Sequence, residues 1–144
     1  MEAREAANEL KAKTGLKIVT LRHMDEYVPE DESFGDYAPY DVDPNGFLTY
    51  IKNAEYVLTD SFHCSAFSMQ FHKQFMTFYR FAQGSATGRN SRIDSLFNVL
   101  EVNKEHIYAG DVMKVEAQLD WDSIDANLKK LREKSVEFLT MALR

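Results

Sequence analysis

Two short stretches of the chain carry side chains suited to holding an anion and moving a proton. In the first, Asp60, Ser61, Phe62, His63, Cys64 and Ser65 follow one another where the apolar run 55–59 passes into a sequence of helical character. A helix start offers unpaired N–H groups and a partial positive charge, and here it would add a serine hydroxyl and an imidazole to the same small volume. Such a set suits a phosphate or a carboxylate, with His63 able to give or take a proton. The structural alternative is that Asp60 or Ser61 only caps the helix and His63 packs in its first turn. The second stretch joins Arg80, at the end of the apolar run 75–79, to Arg89, Asn90, Ser91 and Arg92 at the start of the next helix. Arginine grips carboxylate or phosphate with two parallel donors, although these cations could equally pair with surface acids.

Other combinations fail on spacing. Asp41, Asp43, Asn45 and Gly46 match the opening of a calcium loop, but Lys52 stands where a bidentate Glu is needed and Pro44 starts a helix inside the loop. His63 and His72 are nine residues apart, which puts them on different faces of one helix rather than on a common metal. His23 and His106 are isolated, and no other metal site is expected. Cys64 beside His63 points elsewhere on a helix and reads as a buried thiol. Tyr37, Tyr40, Phe62, Phe67 and Phe71 read as core or loop packing.

The elements that must position these groups follow from periodicity. Residues 2–13 are rich in helix formers, Gly15 supplies a stop, and the β-prone run 16–21 reads as a strand. Residues 25–43 show no period, carry eight acids and read as a long surface loop of the kind that is functional or mobile. Asp43-Pro44 is a helix start with Phe47, Leu48 and Ile51 on one face. After it, 54–60 reads as strand, 61–73 as helix and 74–80 as strand. This alternation predicts a parallel sheet covered by helices, a Rossmann-like α/β fold. A Gly/Ser/Thr-rich loop, 82–91, leads to a helix with Ile93, Leu96, Phe97 and Leu100 at helical spacing. Asp122 then caps a long amphipathic helix whose stripe is Ile124, Leu128, Leu131, Phe138, Leu139 and Ala142. Because a helix follows Met1 directly, the pattern suggests that a first strand is missing and that the 144 residues form one C-terminal domain of something longer.

Composition narrows the function classes. Apolar residues make up 44% and charged residues 28%, which excludes low-complexity and disordered chains. With 17 Lys+Arg against 23 Asp+Glu, the net charge of −6 argues against general nucleic-acid binding. No apolar stretch approaches the roughly 20 residues of a membrane span. The single cysteine cannot form an internal disulfide, and a reducing cytoplasm is the expected location.

The run from Asp43 to Ser68 resembles the carboxyl-terminal half of the polysaccharide pyruvyl transferase family. In that family a helix ending "IKNA", a strand ending "T(N/D)SFHG" and a helix before "KPF" occur in this order. Here the blocks read Ile51-Lys52-Asn53-Ala54, Thr59-Asp60-Ser61-Phe62-His63-Cys64 and Lys73-Gln74-Phe75. Asn90-Ser91-Arg92-Ile93 and the closing helix are similar to later blocks, so the likeness runs over about 16–143. Cys64 stands where the family commonly has Gly, and Gln74 where it has Pro.

The resemblance implies a two-domain fold like that of GT-B glycosyltransferases, of which this chain is the second half, inactive without the N-terminal domain. It implies transfer of pyruvyl from phosphoenolpyruvate to a sugar hydroxyl of a polysaccharide or its precursor, with no further cofactor and most acceptor contacts in the other half. His63 is then the proton-transferring residue, and Ser61, Cys64, Arg80, Asn90 and Arg92 bind substrate. Two other readings fit the residues: a GT-B domain that binds a nucleotide sugar at the same strand ends, and a non-catalytic α/β module that docks a partner through its last helix.

Overall fold

The structure, a computed structural model, describes residues 2–22, 27–80 and 90–143. Helix α1 (Glu2–Thr14) ends where Gly15, at φ +73°, turns its N–H back to Lys11 O. A residue with a Cβ adopts that backbone only at a cost, so glycine is the natural stop. Helix α2 (Pro44–Asn53) starts as its sequence dictates, with the Asp43 carboxylate accepting from Gly46 N at 2.6 Å. That bond uses the carboxylate that a calcium loop would have required.

Strand β1 (Tyr56–Thr59), helix α3 (Phe62–Gln70) and strand β2 (Gln74–Thr77) form the crossover that parallel pairing demands. The two strands pair in parallel with Val57 opposite Phe75 and Thr59 opposite Thr77. Side chains alternate across this small sheet as the pleat requires. Val57 and Phe75 join a core with Met69, Ile93, Phe97, Leu100 and Ile124, built by α2, α3, α4 (Ser91–Leu100) and α5 (Trp121–Ala142). Met76 and Phe78 face the other way, onto Ala6 and Leu10 of α1 and Val112 and Val115 of the 3-10 turn Val112–Glu116. The result is a mixed α/β layer structure with helices on both faces.

The outer edge of β2 is completed without a third strand. Ile107 makes a single parallel bridge to Thr77, Tyr108 N donates to Thr77 O, and His106 Nδ1 donates to Phe75 O at 2.8 Å. Phe75 O can only accept, so buried His106 carries its proton on Nδ1. Between sheet and helix, Ser65 and Thr77 share a buried hydrogen bond of 2.8 Å that sets the height of α3 over β2.

Three expectations are corrected among the described residues. The run 16–21 is not a sheet strand: Val19 makes one isolated bridge to Tyr37, and Leu16, Val19 and Leu21 stay exposed. Its backbone pairs instead with 36–37 of the acidic loop, where Thr20 N reaches Tyr37 O and Ile18 N reaches the Asp36 carboxylate. The same loop is tied to α1 by ion pairs from Arg4 to Asp31 and from Lys11 to Asp36. Helix α5 is capped by Asp120, whose carboxylate accepts from Ser123 N, while Asp122 lies in its first turn. Its apolar stripe is used only at the start, for Ile124 is buried and Leu128 packs on the core, yet Phe138 and Leu139 are 67% and 56% exposed. His23, Asp25, Glu26, Arg89 and most of the 82–91 loop lie outside the described residues.

Candidate functional site

The C-terminal ends of β1 and β2 lie side by side, because the strands are parallel and in register to Thr59 and Thr77. This is the edge at which open α/β sheets bind ligands. Beyond β1 the chain turns through Asp60 and Ser61 into α3. Ser61 N donates to Thr59 Oγ1 at 3.1 Å, and Ser61 Oγ accepts from Cys64 N at 3.4 Å. The turn is therefore held from both sides, and Ser61 rather than Asp60 is the cap. The amides of Phe62 and His63, first in α3, have no carbonyl one turn back within the helix.

His63 is exposed in that first turn, and its ring meets the Phe62 ring edge-on, centroids 5.5 Å apart at 84°. Cys64 turns inward to the core, so the group it leaves at the turn is its backbone amide. Burial pushes its thiol pKa up, partly countered by the Thr59 and Ser68 hydroxyls. The cysteine is thereby kept as a protonated, enclosed thiol.

Asp60, free of capping duty, holds Arg80 at the end of the neighbouring strand. Arg80 Nε donates to Oδ2 at 2.9 Å and Nη2 to Oδ1 at 3.0 Å, which raises the guanidinium pKa further. A guanidinium has five N–H donors, and this pair uses two. Next to it, Tyr79 donates its hydroxyl to the Asp94 carboxylate. Burial first, and then Asp94, pushes the Tyr79 pKa up to about 12. The Tyr79 bond fixes the first turn of α4 against the end of β2.

Asn90 occupies the N-cap position of α4 without a side-chain capping bond, and Arg92 stands exposed in the first turn, with no ion pair among the described residues. Arg92 and Phe62 line one open cleft of about 360 Å³, together with Ser91, Ser95, Leu96 and Val99. Phe62 is the α3 residue in this cleft and Arg92 the one expected binding residue that lines it, while Ser61, His63, Cys64, Arg80 and Asn90 are not among its lining residues.

Sequence reasoning passed over four of these participants. Asp60 read as a possible cap and is the partner of Arg80. Phe62 read as packing and lines the cleft. Tyr79 and Asp94 carry no chemical signal by residue type, although alternation from Phe75 through Thr77 puts Tyr79 on the face that α4 covers. His72, by contrast, lies away from this edge: it follows the C-cap Phe71 of α3 at φ +52°, stacks on Trp121 and donates to Asp125 at 2.9 Å.

A family model described as polysaccharide pyruvyl transferase matches residues 2–80, more than half of the chain. The chain belongs to the polysaccharide pyruvyl transferase family. The matched span contains α1, α2, β1, α3 and β2 and ends on Arg80, so Ser61, His63 and Cys64 lie inside it. Asn90, Arg92 and the last helix lie outside it, and for them the likeness to the family rests on the sequence blocks alone. Comparison with curated proteins and with solved structures gives no significant match. As a member of a transferase family the chain is assigned to transferases at that level, with a polysaccharide as the class of acceptor. No described helix is long and apolar enough to cross a membrane.

Proposed function

We propose that this chain is the phosphoenolpyruvate-handling domain of a transferase that places pyruvyl on a sugar of a polysaccharide or its precursor. The observation that carries the reading is the family match across 2–80, a span that includes His63 and ends on Arg80. In this reading the sheet is the core of a Rossmann-like half of a GT-B frame, and an N-terminal domain closes the cleft.

The reaction is a redox-neutral exchange. A proton adds to the methylene carbon of phosphoenolpyruvate, and a sugar hydroxyl bonds to the adjacent carbon. A second hydroxyl of the same sugar then bonds to that carbon as its bond to the phosphate oxygen breaks. The two hydroxyl protons end on the new methyl group and on phosphate, and the product is a cyclic pyruvate ketal. His63 is the group that moves the proton, since it stands exposed in the first turn of α3, just beyond the end of β1.

The anionic donor needs compensating charge at two points, its phosphate and its carboxylate. The Phe62 and His63 amides and the Ser61 hydroxyl supply neutral donors at a helix start, while the Cys64 amide holds the Ser61 oxygen in place. Arg92 supplies a cation without an ion-pair partner among the described residues. Arg80 supplies its remaining donors from an orientation fixed by Asp60, and Asn90 adds an amide beside Arg92.

Hydrogen exchange of the 61–65 amides tests this reading. Phosphoenolpyruvate is expected to slow their exchange while a nucleotide sugar leaves it unchanged. The reverse pattern would replace the reading with a glycosyltransferase half.

A further inference from the structure

The cleft between Phe62 and α4 has a polarity that goes beyond holding the donor. Its α4 wall is two adjacent rows at helical spacing: Ser91 and Ser95 in one, Arg92, Leu96 and Val99 in the other. The cationic end lies at the start of α4, where the helix dipole is also positive. Moving along α4, charge gives way to apolar surface, and Val99 is 49% exposed with its side chain on the cleft. The cleft is completed by Phe62, half-buried, whose ring meets the His63 ring at 84°. A volume of about 360 Å³ is at the lower end for small-molecule sites.

A lining that combines a phenylalanine, a leucine and a valine with serine matches one kind of ligand surface. A pyranose presents an apolar face of C–H bonds and an equatorial rim of hydroxyls. We infer that the Phe62–Leu96–Val99 end of this cleft seats the acceptor sugar, its C–H face against the Phe62 ring and its hydroxyls toward Ser95. This inference rests on the pyruvyl-transfer reading for the identity of the donor, and it moves part of the acceptor's contacts into this domain. The contact between Phe62 and His63 then does chemical work: a sugar packed on one side of Phe62 lies beside the imidazole that meets its edge. The anionic donor occupies the Arg92 end, so that donor and acceptor meet along the axis of one cleft.

The test is ligand-observed saturation-transfer NMR on the full chain with methyl glycosides of glucose, galactose and mannose, in the absence of phosphoenolpyruvate. The wild type is expected to transfer saturation to the ring C–H protons of at least one glycoside. Val99→Trp, which fills the cleft from an exposed helix position, and Phe62→Ala should each weaken binding by about tenfold, the scale of a lost aromatic stack. Phe62→Trp should retain it. A thermal melt within about 2 °C of wild type establishes that the Val99 variant is folded. Failure of every glycoside to bind the wild type, or unchanged binding in Val99→Trp, overturns the inference. A parallel titration with phosphoenolpyruvate separates the two ideas: glycoside binding that depends on Val99 without any phosphoenolpyruvate binding leaves the cleft assignment standing and removes the proposed donor.

Discussion

Asp60 grips Arg80 across the ends of the two parallel strands with two near-equal bonds, 2.9 and 3.0 Å, in the fork geometry that matches guanidinium to carboxylate. Both side chains are about two-fifths exposed, 41% and 43%, so solvent screens the pair and its contribution to stability is small. Its consequence is orientation, because Arg80 is held with its unused donors available to a ligand at the strand ends. Arg80→Met is therefore expected to change unfolding free energy by less than about 1 kcal/mol. The same variant should weaken phosphoenolpyruvate binding by about tenfold or more, since it removes a cation and leaves the Asp60 charge at the site. Urea unfolding and a phosphoenolpyruvate titration on one preparation check both halves. A large loss of stability with unchanged binding would make the pair purely structural.

The Tyr79 hydrogen bond to Asp94 predicts a signature in alkali. With its pKa raised from 10.0 to about 12, Tyr79 binds its proton more tightly folded than unfolded. The stabilisation it gives is fully present below pH 10 and is lost as the pH rises through 12. Tyr79→Phe, which leaves the Asp94 carboxylate without this donor, should cost about 1–3 kcal/mol at neutral pH. The gap between wild type and variant should narrow above pH 10, as followed by urea midpoints from pH 8 upward. A gap that stays constant to the alkaline limit would contradict the assigned bond.

Cys64 is predicted to be chemically quiet. Burial pushes its thiol pKa above the ordinary value, and its side chain belongs to the core. Alkylation by iodoacetamide at pH 8 should be at least about tenfold slower in the folded chain than in urea. Equal rates would show that the thiol faces the ligand side of the turn.

Much of the positioning framework was legible in the sequence, and the exceptions have physical causes. Asp43-Pro44 and Ser61 could be read as helix starts because capping is local: the side chain, the turn and the first amides lie within four residues. The β1-α3-β2 crossover was legible because the apolar runs are short and bounded by polar turns. The 16–21 run misled because its β-branched residues carry strand propensity without a partner strand, and pairing is decided by what lies beside a segment. Asp120 displaced Asp122 as a cap because two acids two residues apart offer the same signal, and only backbone geometry chooses between them. The α5 stripe is a true helical period, but periodicity cannot say how far the neighbouring core extends along it.

The site itself was half legible. Ser61, His63 and the arginines drew notice through residue type, since imidazole and guanidinium at predicted strand ends are unusual. The partners of those residues did not, because Asp60 and Arg80, 20 residues apart, meet only through the parallel register, and Tyr79 and Asp94, 15 apart, only through the packing of α4 against the end of β2. Phe62 was hidden by its neighbours: in a helix that also carries Phe67 and Phe71, one more aromatic ring looks like core.

The most direct test of the account is the pyruvate content of the cells' own polysaccharide when His63→Ala replaces the natural residue in the intact protein. Ketal-linked pyruvate is released by mild acid and can be counted against total sugar. Because His63 is exposed and its ring contacts only Phe62 among the described aromatic pairs, the variant should accumulate to normal levels and melt normally. The wild-type polysaccharide is expected to carry pyruvate, and the variant to lose it by at least about a hundredfold. Pyruvylation that persists at the wild-type level with His63→Ala would contradict the assignment of His63 as the proton-transferring residue.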